Sequence, residues 1–149
     1  MKYFTVEELT ESSTAIKENI DNTPSKEITE HLIELIEELL DPIREKWAEY
    51  CNINKLGNPA ISVSSGYRCK ELNKAVNGSV TSAHMTGYAA DLQNVSGSRE
   101  EFYQFLLNFL KDRNFDECFI EKSRTSQWVH IALYSIKGLQ RRKKGNLYV

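Results

Sequence analysis

Between residues 24 and 50, apolar side chains return every three or four positions: Ile28, Leu32, Leu35, Ile36, Leu39, Leu40, Ile43 and Trp47. Glu27, Glu30, Glu34, Glu37, Glu38 and Glu45 fall mostly between them. That period is helical, and it sets one apolar stripe against a core with an acidic face in water. A single long helix is predicted. Thr23 is suited to cap it and Pro24 to open it. Pro42 should kink or restart it, with Asp41 as a local cap. Residues 5–20 read as one or two short helices with Thr10 and Ser12-Ser13-Thr14 as capping material. After the turn at residues 55–59 the period changes. Ala60-Ile61-Ser62-Val63-Ser64 alternates in twos and reads as a strand, as do residues 88–92, 118–121 and 128–133. Residues 122–127 make a hairpin-sized loop between the last two strands. Residues 70–76 form a short helix. Residues 98–112 form a longer one, capped by Ser98, with Glu100 and Glu101 in its first turn. The expected class is α+β: a small, mainly antiparallel sheet with helices packed on it.

Length and composition narrow this further. The chain has 149 residues, 40% hydrophobic and 27% charged, which suits one globular domain and excludes collagen, coiled coil and general disorder. The expected division is an N-terminal helical extension (1–23), a core (24–135) and a basic tail (136–149). No apolar stretch approaches the roughly 18 residues of a membrane span. The first residues turn acidic at once, so no signal peptide and synthesis in the cytoplasm are expected. A monomer is favoured. The net charge of −2 hides an asymmetry: residues 1–50 carry 5 Lys/Arg against 13 Asp/Glu, and residues 51–149 carry 14 against 8. Arg141, Arg142, Lys143 and Lys144 supply four of those cations in one run without interleaved aromatics, so a solvated tail is expected rather than a nucleic-acid surface. Cys51, Cys69 and Cys118 form no Cys-x-x-Cys pair and read as reduced thiols.

The chemistry lies with the histidines. His31, on the long helix, reads as a boundary residue without a role. His84 precedes a Thr86-Gly87 turn, and Asp91 follows between apolar Ala90 and Leu92. His130 stands between Val129 and Ile131. A carboxylate and an imidazole in apolar strands are costly unless paired, hydrogen-bonded or metal-bound. Two histidines and one aspartate suit Zn²⁺ and leave its fourth position for water, the pattern of a catalytic site. The same three residues also fit two satisfied core histidines and a structural aspartate.

The segments Ser65-Gly66-Tyr67-Arg68-Cys69, Leu72-Asn73, Val76-Asn77-Gly78, Ser82-Ala83-His84-Met85-Thr86-Gly87-Tyr88-Ala89-Ala90-Asp91 and Trp128-Val129-His130 resemble the zinc peptidases of bacterial cell walls. These are D-alanyl-D-alanine carboxypeptidases, D-Ala-D-Ala dipeptidases and L-alanyl-D-glutamate endopeptidases, which share their fold with hedgehog domains. The short phage- or prophage-borne members are most alike. The resemblance spans about residues 24–135. It implies His84, Asp91 and His130 as zinc ligands, and Arg68 near the substrate, where a guanidinium can take a carboxylate two-pronged. Ser82 is implied as a hydrogen-bonding residue for substrate or ligand. The substrate it implies is a peptidoglycan stem peptide, reached after release from the cell or phage delivery, with no nucleic acid or membrane as partner. The sequence departs from the family in one place. An acid often stands three residues before the last histidine, or a histidine two before it, where this chain has Gln127 and Trp128. Glu121 is the nearest upstream acid and the expected base or substrate-orienting residue, with Asp116 and Glu117 as weaker candidates. The alternative is a zinc-containing domain that binds a wall peptide or a protein without cutting it.

Overall fold

The computed structural model describes all 149 residues. The stripe of residues 28–47 forms one helical rod in three parts. After α1 (Val6–Thr10) and α2 (Ser13–Lys17), α3 (Lys26–Leu35) leads through a wider π turn at Ile36–Leu40 into α4 (Asp41–Ile53). Pro42 accounts for the wide turn. It has no N–H for the ladder, and its ring crowds the carbonyl four residues back. Widening one turn just ahead of it lets the rod continue, with Ile36, Leu39 and Leu40 still fully buried.

Two of the expected caps lie elsewhere. Ser25, not Thr23, caps α3, its hydroxyl accepting the Ile28 N–H at 3.2 Å. Asp41 caps no turn of its own helix. Its carboxylate accepts the backbone N–H groups of Lys2, Tyr3 and Phe4 at 2.5, 2.9 and 3.2 Å, which ties the chain's start to the rod. At the short helices, Thr5 and Ser12 supply the capping oxygens, whereas the Thr10 hydroxyl turns back to the Glu7 carbonyl.

The strands follow as β1 (Ile61–Ser65), β2 (Ala89–Asn94), β3 (Glu117–Lys122), β4 (Gln127–Ala132) and β5 (Lys143–Tyr148), with α5 (Lys70–Ala75) and α6 (Arg99–Leu110) between them. They make one sheet in the order β1-β2-β4-β3-β5. Every pairing is antiparallel except β3 with β5, which is parallel. The α+β class read from the sequence is the class observed. One face of the sheet presents Ala90, Leu92, Cys118, Ile120, Val129 and Ile131 to the rod and α6, where Trp47, Phe102 and Leu106 complete the core. The other face is open and polar.

Strand β5 is the element the pattern does not announce. Its residues are mostly exposed, so no hydrophobic alternation marks them. Neighbouring groups hold it in place instead. The Arg141 guanidinium grips the fully buried Asp116 carboxylate with two hydrogen bonds of 2.8 Å, and the Lys143 N–H donates to the Asp116 carbonyl at 2.8 Å. Arg142 donates to the carbonyls of Leu110, Lys111 and Arg113 at the end of α6 and lies over the Phe115 ring. Half of the basic run is therefore engaged in structure.

The N-terminal helices brace the turn after β1. The Tyr67 N–H donates to the Leu9 carbonyl at 2.7 Å. The approach is so close that a Cβ on Gly66 would stand 2.2 Å from that carbonyl oxygen, so only glycine fits. The side chain of Asn22 donates to the carbonyls of Thr10 and Tyr67, both at 3.0 Å, and accepts the Cys69 N–H at 2.8 Å.

Burial alone would raise the Asp116 carboxyl, but the Arg141 side chain and backbone N–H outweigh it and hold the group below the usual carboxylate range. Its contribution to stability is therefore full above the unfolded value of ~3.9 and is lost as pH falls through the depressed folded value. Asp116→Asn should cost about 2 kcal/mol at pH 7. The difference from wild type should shrink steadily below pH 4, read by urea unfolding across the pH range.

Candidate metal centre and its cleft

Cross-strand partners share a face of a sheet, so register decides which side chains meet. Asp91 on β2 pairs with His130 on β4, and His130 with Phe119 on β3. On the same face Trp128 pairs with Glu121, and Glu117 with Lys143 of β5. His84 arrives from outside the sheet, on a short 3-10 turn (Ala83–Thr86). The Ser82 hydroxyl caps that turn by accepting the His84 N–H at 3.2 Å. Gly87, at φ +81°, reverses the chain into β2, a conformation that favours glycine.

These elements bring together the three residues read as ligands. His84 Nε2 lies 3.2 Å from Asp91 Oδ1, and His130 Nδ1 lies 3.0 Å from the same oxygen. One ligand atom from each residue falls within 4.8 Å of the others, and all three side chains are buried. Burial weighs against the charge on Asp91, yet the flanking histidines outweigh it and hold the carboxyl well below its usual range. Burial pushes the His84 imidazole down toward its neutral form. His130 is buried too, but the Asp91 and Glu117 carboxylates on its two sides push it up to about 10.

The donor set fits a metal ion. His84 Nδ1 sits 2.7 Å from the Gly66 carbonyl, which can only accept, so the proton belongs on Nδ1. In neutral His84 the Nε2 lone pair then faces a carboxylate oxygen, a pairing that a metal ion between them would satisfy. His130 would be its counterpart once a metal ion replaced its Nδ1 proton: Nε2 can donate to Glu117 Oε1 at 3.1 Å, leaving Nδ1 for the same point. Each histidine thus has its outer nitrogen tied to an oxygen and its inner nitrogen turned to a shared position, the usual support of metal-bound imidazoles.

Arg68 joins the group. Its Nη2 lies 3.8 Å from Asp91 Oδ2, while Nε donates to Ser65 Oγ at 3.1 Å and Nη1 to Asn73 Oδ1 at 2.9 Å. Glu121 lines the same cleft without touching the three residues. Its Oε1 accepts the Trp128 indole N–H at 2.8 Å, and burial raises its carboxyl above the ordinary value. Asp116 is committed to Arg141. Glu117, one of the weaker candidates for a base, is the acid in contact with His130, and that hydrogen bond holds its carboxyl low. His31, read as having no role, reaches Thr86: its Nδ1–H donates to that carbonyl at 2.7 Å, and its ring stacks on Tyr88 at 4.3 Å. It braces the turn that carries His84. The alternation of Glu117, Phe119 and Glu121 becomes visible once β3 is seen to begin at Glu117, and Asn73 stands within one of the resembling segments, whereas nothing local in the sequence marks His31.

The cleft over this face has a volume of about 950 Å³. The His/Asp/His group of this α+β fold lies in that cleft and could hold a metal ion. The chain belongs to the Peptidase M15 family, which matches residues 2–132. Peptidases of this family are metal-dependent. No curated protein sequence matches the chain.

If the three residues hold a metal ion, Glu117→Ala should weaken its binding about 10- to 100-fold by freeing the His130 ring, measured with zinc by chelator competition. Glu117→Gln, which keeps an acceptor oxygen, should fall between Glu117→Ala and wild type. Equal affinity in all three proteins would remove Glu117 from the support of the site.

Proposed function

We propose that the protein is a zinc-dependent peptidase that hydrolyses peptide bonds in the stem peptides of peptidoglycan. The convergence of His84 Nε2, His130 Nδ1 and the Asp91 carboxylate in an open cleft carries this reading, together with membership of the Peptidase M15 family. A zinc ion held by these three side chains would supply an activated water and a Lewis acid for the scissile carbonyl.

The chain's own residues supply the rest. Glu121 is the proton carrier. It is a carboxyl raised by burial, on the face of His130, with one oxygen fixed by Trp128. Register explains why Gln127 is no obstacle. Trp128 and His130 line the cleft, and residue 127, one step out of phase, does not. An acid there would point away from the substrate, whereas Glu121 stands directly across from Trp128. Arg68 takes a substrate carboxylate with the part of its guanidinium not held by Ser65 and Asn73. Ser82 holds the His84 turn through its cap.

Zinc-loaded protein incubated with purified peptidoglycan should release new amino and carboxyl ends. Glu121→Gln should lower kcat at least about 100-fold while zinc still binds stoichiometrically. Full activity in that variant would remove Glu121 as the base and leave the peptidase standing. Absence of products from several wall chemotypes, with zinc bound, would favour a domain that binds wall peptide or protein without cutting.

A further inference from the structure

The family match ends at residue 132, but the cleft does not. Strand β5 lies beyond the match and forms the cleft's outer wall, contributing Lys143 and Leu147, with Val149 just after it. Its parallel register with β3 sets Lys143 beside Glu117, Gly145 beside Phe119 and Leu147 beside Glu121. These are the β3 residues that share the face of His130.

Two features make this wall a candidate for substrate selection. The first is a gap. A Cβ on Gly145 would stand 3.9 Å from Phe119 Cδ1, so a side chain there would roof the ring. With glycine the ring stays open to the cleft, lying near-parallel to His130 at 6.4 Å. The Gly145 N–H donates to the Tyr103 hydroxyl at 2.8 Å, which fixes the strand at that point. The second feature is a free cation. Asp116 is satisfied by the Arg141 fork, and Glu117 by His130 at 3.1 Å and Arg141 at 3.5 Å. Lys143 enters none of the chain's ion pairs, although it lines the cleft. Lys143 lies on β5, at one edge of the sheet, whereas Arg68 follows β1 at the other edge and is held there by Ser65 and Asn73, with β2 and β4 of the candidate metal centre between them.

We infer that Lys143 is a specificity-determining residue that binds a carboxylate on the substrate residue lying across Phe119. The cleft would then take a peptide with anionic groups on both sides of the candidate metal centre, one for Arg68 and one for Lys143. This rests on the peptidase reading above and deepens it. A flexible ammonium at an open wall gives a modest preference, about fivefold.

The test uses two stem peptides that differ only in whether the glutamyl α-carboxyl is free or amidated. Each is titrated against the full-length wild type and Lys143→Gln, by calorimetry for binding and by steady-state kinetics for cleavage. Wild type should bind the free-carboxylate peptide about fivefold more tightly than the amide, with KM following. Lys143→Gln should bind both alike, with kcat and the amide's KM unchanged. The same discrimination in both proteins, or none in wild type, overturns the inference. If neither peptide is cut but Lys143→Gln still loses the binding preference, the peptidase reading fails and the role of Lys143 stands. Lys143→Arg should restore the preference, which a merely structural loss would not show.

Discussion

A carboxylate buried in the middle of a sheet is the constraint on which this molecule depends. Asp91 stands on β2 between Ala90 and Leu92, which face the core, and its own side chain is nearly closed off from water. An isolated charge there would cost several kcal/mol even after relaxation. The charges that offset it come from distant parts of the chain, His130 on β4 and Arg68 at the corner after β1, with His84 closing the group from the turn before β2. None of them suffices alone, and none can reach Asp91 unless the sheet is in register and the corner is closed. The polar cluster therefore selects one arrangement of an otherwise ordinary α+β core.

Each partner is in turn held from outside. The Gly66 carbonyl orients His84, Glu117 orients His130, and Ser65 with Asn73 orients Arg68. The chain extends this support to its ends. α1 presses on Gly66 through the Leu9 carbonyl, Asn22 joins that region to the corner, and α3 reaches the His84 turn through His31. The long rod thus serves two faces of the molecule. Its apolar stripe fills the core behind the sheet, and a polar residue on its flank braces the loop at the front.

Much of this was legible in the amino-acid order because the signals are periodic or local. The 3.6-residue stripe gave the rod, twofold alternation gave four strands, and ionisable residues in apolar strands marked His130 and Asp91. The resemblance to zinc peptidases of bacterial cell walls, carried by the Ser-Gly-Tyr-Arg and Ser-x-His segments, agrees with membership of the Peptidase M15 family. What escaped is tertiary. Asp41 looks like a helix cap because Asp before Pro usually acts locally, but here it meets backbone amides 37 to 39 residues away. Strand β5 carries almost no buried side chain, so its place depends on Asp116 and Arg141 rather than on its own pattern. His31 lies on a boundary, as expected, yet its partner is 55 residues distant. No window of sequence contains such pairs.

The two acids of β3 show how placement can separate roles within one strand. Glu117 and Glu121 are the same residue type, four positions apart, on the same face and in the same cleft. Glu117 meets His130, and that hydrogen bond, joined by Arg141, keeps it ionised as a fixed acceptor. Glu121 meets only a neutral indole N–H, and burial raises its carboxyl above the ordinary value. A carboxylate that must hold an imidazole in one tautomer has to stay charged, and one that must shuttle a proton has to change charge. The environments divide the tasks in that sense, with Phe119 as the spacer between them. Under the proposed reading, proton transfer falls to the end of β3, where an acid faces the cleft, whereas position 127 of β4 lies on the other face of its strand.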